Sequence, residues 1–202
     1  MGGRGATSKY SKSVSKYSYY VEGNAEGYQP EADKIINSVK SVLSDFGMES
    51  ELTGITFSDD TRALAGINGF GRLSISKQYL ANGEKSSNGY MVNDSYGGTG
   101  AHEAGHLVSY ALLSKKVIPN ASNLEKALAR KNNKLEKAIL KEAKKRYGSN
   151  PAISKYGSKN HGEKVAEAVS DVYTNKGNAN PYSKQIVSVM KDINSGKFIP
   201  KI

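Results

Sequence analysis

Two of the chain's three histidines stand four residues apart with an acid beside the first, in the run Gly100, Ala101, His102, Glu103, Ala104, Gly105, His106. On a helix, positions i and i+4 project from one face, so both imidazoles can reach one cation. The glutamate beside the first is then placed to take a proton from water at that cation. The spacing is the H-E-x-x-H arrangement of metal-assisted hydrolysis, with His102 and His106 as ligands and Glu103 as general base. Gly105 fits the same reading, because a glycine inside a helix costs about 1 kcal/mol relative to alanine unless something must approach closely. The plain alternative is a helix with incidental histidines.

The chain has no cysteine, so thiolate ligands and disulfides are excluded and any metal is held by His, Asp or Glu. A catalytic zinc takes three protein ligands and keeps a fourth position open. Leu107, Val108, Ser109 and Tyr110 follow His106, which excludes a third histidine at the metzincin spacing and leaves a later carboxylate or His161. Glu163 and Glu167 are four apart and share a helix face, with Val165, Val169 and Val172 behind. One can bind the metal while the other receives the free N–H of a ligand histidine. Taken alone, Glu163, Glu167 and Asp171 also read as acids of a solvated helix, and Tyr156 as a packed loop aromatic.

Together these residues resemble the gluzincin metallopeptidases, and within them the group of anthrax lethal factor and the Pro-Pro endopeptidases. That group shares H-E-x-G-H, then a tyrosine, six residues, a ligand glutamate and another glutamate four later. His102, Glu103, Gly105 and His106 match the first half, and Tyr156, Glu163 and Glu167 the second. The likeness spans residues 95–176. It implies a zincin-like metallopeptidase domain, a Zn²⁺ cofactor and a protein or peptide substrate. It also implies Glu163 as third ligand, Glu167 behind a ligand, and Tyr156 as hydroxyl donor to the oxyanion. A competing register, Glu167, Ala168, Val169, Ser170, Asp171, is similar to the E-A-x-S-D segment of thermolysin-like enzymes. It makes Glu167 the ligand and Asp171 the residue that orients a histidine. Only the first register also supplies a tyrosine, and it is the one adopted.

The elements that must position these groups follow from periodicity. Pro30 opens a helix whose Ile35, Ile36, Val39, Val42, Leu43 and Phe46 recur at helical spacing until Gly47. Residues 52–58 and 72–79 read as strands separated by the glycine-rich stretch 66–71, with another short strand at 90–92. The stretch 72–79 is expected at a sheet edge, where substrate binds by strand addition. Residues 96–100 read as a turn, with the histidine helix starting near Ala101. One long helix is expected from Asn123, as its cap, to Tyr147, with Leu124, Leu128, Leu135, Ile139 and Ala143 on a buried stripe. Helices over 160–175 and 181–193 complete an α+β fold with a small twisted sheet and a mainly helical C-terminal half.

At 202 residues the chain suits one domain, 29–202, preceded by a flexible basic Gly/Ser/Tyr arm, 1–28. The net charge of +10, concentrated on that arm and on the 126–146 helix, favours weak polyanion binding. The rival function is accordingly a basic nucleic-acid-binding or structural protein with a vestigial metal site. Residues 1–20 hold no apolar run for a signal peptide, and no stretch reaches membrane-span length. A soluble protein, cytoplasmic or virion-associated, is expected. The opening Met1, Gly2, Gly3, Arg4, Gly5, Ala6 is similar to the starts of small phage and prophage-encoded proteins.

Overall fold

The structure is a computed structural model and describes residues 20–25, 27–59, 64–84 and 89–202. Residues 1–19, most of the expected arm, lie outside the described residues. Pro30 and Glu31 in the first turn open α1 (Gln29–Asp45), which buries Ala32, Ile35, Ile36, Val39, Val42 and Leu43 along one face. Three parallel strands follow the order β1 (Tyr20–Glu22), β2 (Gly54–Ser58), β4 (Arg72–Ser76), and β3 (Ala65–Ile67) closes the sheet antiparallel to β4. Alternation in β4 buries Leu73 and Ile75.

Several expectations change here. Tyr20–Glu22, assigned to the arm, is instead an edge strand of the sheet. The strand expected at 72–79 ends at Ser76, whose hydroxyl caps the short helix α2 (Lys77–Asn82), so Tyr79 is helical. That strand is also internal: the edge nearest the histidines is β3, built from residues 65–67 of the stretch expected to be only a connection. No strand forms at 90–92; that segment gives its backbone to other partners, described below.

The histidine helix α3 (Tyr96–Leu112) begins five residues earlier than expected, capped by Ser95, whose Oγ accepts the Gly98 N–H at 2.9 Å. Gly98, Gly100 and Gly105 are there for packing rather than for a turn. A Cβ on Gly100 would stand 2.2 Å from the Ile35 carbonyl oxygen, so α1 can approach α3 only over a bare backbone. Ser38 from α1 donates to the Gly97 carbonyl and fixes this approach, while Ser170 from a later helix donates to the Gly98 carbonyl. Gly100→Ala is therefore expected to destabilise the fold by about 3 kcal/mol, near the upper end for an overpacked core, read as a lower urea midpoint with unchanged slope. A shift below a few tenths of a kcal/mol would show that the two helices yield freely.

The expected long helix is two: α4 (Asn123–Lys131) and α5 (Lys134–Tyr147), broken at Asn132 and Asn133. Asn133 takes φ 49°, a left-handed conformation asparagine tolerates better than other side chains. Ser122, not Asn123, caps α4, in a reciprocal capping box with Glu125. After the break Leu135, Ile139 and Ala143 remain in the core, whereas Leu124 and Leu128 are exposed. The chain ends with α6 (His161–Asn175), packed across α3, and α7 (Pro181–Asn194), packed on α5 and α6. Among the described residues no helix is long and apolar enough to cross a membrane.

Candidate metal centre

Helix α3 supplies the two imidazoles and α6 the acids, and the distance between those helices decides whether they meet. At Gly105 a Cβ would lie 3.0 Å from the Ala166 Cα and 3.1 Å from the Val169 Cβ, so the absent side chain is what lets α6 lie against α3. Asn160 caps α6 by accepting the Glu163 N–H at 3.0 Å, which sets the start of the helix and leaves Glu163 in its first turn.

Three ligand-type atoms converge there. His102 Nε2 is 3.1 Å from Glu163 Oε2 and 3.2 Å from His106 Nε2, and His106 Nε2 is 3.4 Å from Glu163 Oε2. His102, His106 and Glu163 thus form a group able to hold a metal ion. A tetrahedral ion about 2.0–2.1 Å from N and O ligands needs them roughly 3.3–3.4 Å apart, so a triangle of these sides accepts one with little adjustment. Burial opposes a charged His102, but the hydrogen bonds with Glu163 and Glu167 outweigh it and push its pKa up to about 9. Burial likewise opposes ionised Glu163, and the two histidines reverse that and hold its carboxyl far below the usual range. The pocket is electrostatically built for positive charge.

Glu167 sits behind this triangle rather than in it. Its fully buried carboxylate places Oε1 2.9 Å from His102 Nδ1, while Oε2 accepts the Val92 N–H at 2.7 Å. Because Nδ1 faces Glu167, Nε2 is the nitrogen turned toward the other ligand atoms. Asp171 points elsewhere: it accepts from Asn175 Nδ2 at 2.8 Å and from the Asn180 N–H at 2.9 Å, tying α6 to the start of α7. It does not reach a histidine, as the thermolysin-like register requires. His161 is exposed at the start of α6 and outside the ligand group.

Glu103 is buried beside the triangle, with Oε2 accepting the Ile67 N–H of β3 at 2.9 Å. Tyr156 lies in a 3-10 turn (Tyr156–Ser158), its ring 5.5 Å from that of His102. Burial, then the charges of Glu163 and Glu103, push its hydroxyl up to about 12, so it keeps its proton across the neutral range.

The residues that sequence reasoning missed act through backbone or through rings. Tyr90 accepts the Tyr156 N–H on its carbonyl at 2.7 Å and packs edge-on against the Tyr156 ring. Lys159 Nζ stands 4.1 Å from the Tyr156 ring centroid and 5.4 Å from that of Tyr90. Tyr110 stacks on His106 at 6.4 Å. No side-chain pattern announces Ile67 or Val92, since only their N–H groups are used. On the basic helix, Lys137, Lys141, Lys144 and Lys145 are exposed, while Arg146 pairs with Glu142 and Asp192.

The chain matches no protein-family model, no curated protein and no solved structure.

Proposed function

We propose that the chain is a zinc-dependent endopeptidase with a zincin-like fold, in which α3 and α6 hold the metal and Glu103 is the general base. The observation that carries this reading is the near-equilateral triangle of His102 Nε2, His106 Nε2 and Glu163 Oε2, with Glu167 fixing the His102 tautomer and an acid held beside it. Two imidazoles and one carboxylate are a donor set suited to zinc. A zinc ion held there supplies Lewis acidity, polarising a carbonyl and lowering the pKa of water.

The chain's own groups do the rest. Glu103 is anchored through Oε2 by the Ile67 N–H, so Oε1 takes the proton as water adds to the scissile carbonyl carbon. Glu103 then returns that proton to the nitrogen as the C–N bond breaks, and the second proton of the water passes from the new carboxylic acid to the amine, leaving a carboxylate and an ammonium. Tyr156, protonated at working pH, donates a hydrogen bond to the carbonyl oxygen as it gains charge. The short edge strand β3 flanks the same site and offers an extended substrate a pairing partner.

The direct experiment incubates the zinc-loaded protein with a proteome-derived peptide pool and reads new peptide termini by mass spectrometry. Cleavage that stops with chelator and returns with zinc is expected; a metal-loaded, folded protein that cuts nothing in the pool would defeat the proposal. Within that assay Tyr156→Phe is expected to lower kcat about 10²-fold at unchanged zinc stoichiometry, since it deletes only the donor. An unchanged kcat would remove Tyr156 from the mechanism.

A further inference from the structure

Between Gly98 and Leu113 on α3 every residue is buried except His106 and Tyr110. These two lie one helical turn apart, so the open strip of the helix runs from the metal ligands toward its C-terminal end. Beyond Tyr110 the strip continues into a cavity of about 190 Å³ between α3 and the turn joining β3 to β4, lined in part by Tyr110, Leu107, Ala111 and Phe70. Phe70 is 85% exposed at that turn. A groove thus leads away from the metal site; Lys115 lines it paired with Glu51, and a second cation, beside Tyr110 and Gly69, adjoins it.

That cation is Arg130, at the end of α4. Its guanidinium carbon lies 5.7 Å from the Tyr110 ring centroid. Its Nη1 occupies the space a side chain on Gly69 would fill, since a Cβ there would be 2.1 Å away. Arg130 is thus held between an aromatic face and the bare backbone of the β3–β4 turn, although only half-buried. Its Nε donates to the Lys126 carbonyl at 3.4 Å. Among the described residues no acid pairs with it and no acceptor meets its two terminal nitrogens. A guanidinium positioned by stacking with its fork unpaired is arranged for bidentate contact with a carboxylate.

We infer that Arg130 is a substrate-specificity residue whose guanidinium fork receives a carboxylate of the bound peptide, a reading that rests on the peptidase proposal above. The steps from the His106 ring to the Tyr110 ring and on to Arg130 are 6.4 Å and 5.7 Å. An extended peptide covers them in about three or four residues at roughly 3.3 Å each, which places the carboxylate that far from the scissile bond. It is an Asp or Glu side chain, or the peptide's own C-terminus.

The probes are fluorescein-labelled octapeptides of Gly and Ala in which one Glu is moved along the chain. Each is paired with its Gln counterpart and made with free and amidated C-termini. Binding to the zinc-loaded Glu103→Gln protein is read by fluorescence anisotropy. Glu at one or two adjacent positions is expected to bind about tenfold tighter than Gln, or the free terminus about tenfold tighter than the amide, which identifies the source of the carboxylate. Arg130→Gln is expected to bring that ratio to about one. Gly69→Ala, which keeps the charge but displaces it, is expected to lower the ratio as well. Lys131→Gln, which removes a neighbouring charge, should leave it intact.

The inference is overturned if no peptide binds, if no position prefers the acid, or if the preference survives Arg130→Gln. It is equally overturned if Lys131→Gln abolishes the preference to the same extent, which would mean diffuse charge. Cleavage of the same peptides by the unsubstituted zinc-loaded chain separates the two readings. An Arg130-dependent preference without cleavage sinks the peptidase proposal alone, and cleavage without preference sinks this one alone.

Discussion

Glu103→Gln is expected to reduce peptide hydrolysis about 10³-fold while the protein still carries its zinc, because the substitution removes basicity and little else. The Gln side chain has the same length, and its amide oxygen can still accept the Ile67 N–H that anchors Glu103 Oε2 at 2.9 Å. Glu103 contributes no atom to the ligand triangle of His102, His106 and Glu163, so metal stoichiometry should not move. The measurement pairs turnover of a peptide found by pool digestion with zinc content of the same sample. Retained turnover would remove Glu103 as the base; joint loss of turnover and zinc would mean that the side chain supports the ligands instead.

The second large effect separates the two glutamates of α6. Glu163→Ala deletes the only carboxylate oxygen in the triangle, and zinc content is expected to fall from about one ion per chain to less than about a tenth. Glu167→Ala should act differently, because Glu167 Oε1 faces His102 Nδ1 and Oε2 faces the Val92 N–H. Its loss leaves the buried His102 N–H without an acceptor, a destabilisation of about 1–3 kcal/mol, frees the part-buried Val92 N–H at a smaller cost, and weakens metal binding about 10- to 100-fold without abolishing it. Glu167→Gln restores an acceptor and should recover part of both. Zinc loss confined to the Glu167 variants, with Glu163→Ala still metallated, would reverse the assignment in favour of the thermolysin-like register.

What the sequence could disclose depended on how directly chemistry dictates residue type. Two imidazoles that are to share an ion leave little freedom in identity or spacing, so His102 and His106 were legible at once as candidates, with Glu103 beside them as the proposed base. Glu163 and Glu167 were legible as a pair, because four-residue spacing puts both on one face. Their separate roles depend on the rotation of α6 and its close approach over Gly105, which periodicity does not encode. The start of α3 was misplaced because glycines read locally as a turn, while the contact with the Ile35 carbonyl that requires Gly100 comes from 65 residues earlier in the chain. The break after Lys131 did leave a signal, the adjacent Asn132 and Asn133, outweighed by the regular leucines on either side. Arg130 is one of the charges of the basic 126–146 stretch, and nothing in its neighbours predicts that it lies over Tyr110.

The pairing of Tyr20–Glu22 with Gly54–Thr56 bears on how the N-terminal region can be processed. Trimming ahead of residue 20 leaves the ladder bonds among the described residues in place. A cut after residue 28 strips β1 away and bares the β2 flank, a row of unsatisfied N–H and C=O groups of the kind that recruits strands from other molecules. Processing that preserves the pairing of β1 with β2 is therefore confined to the residues ahead of Tyr20.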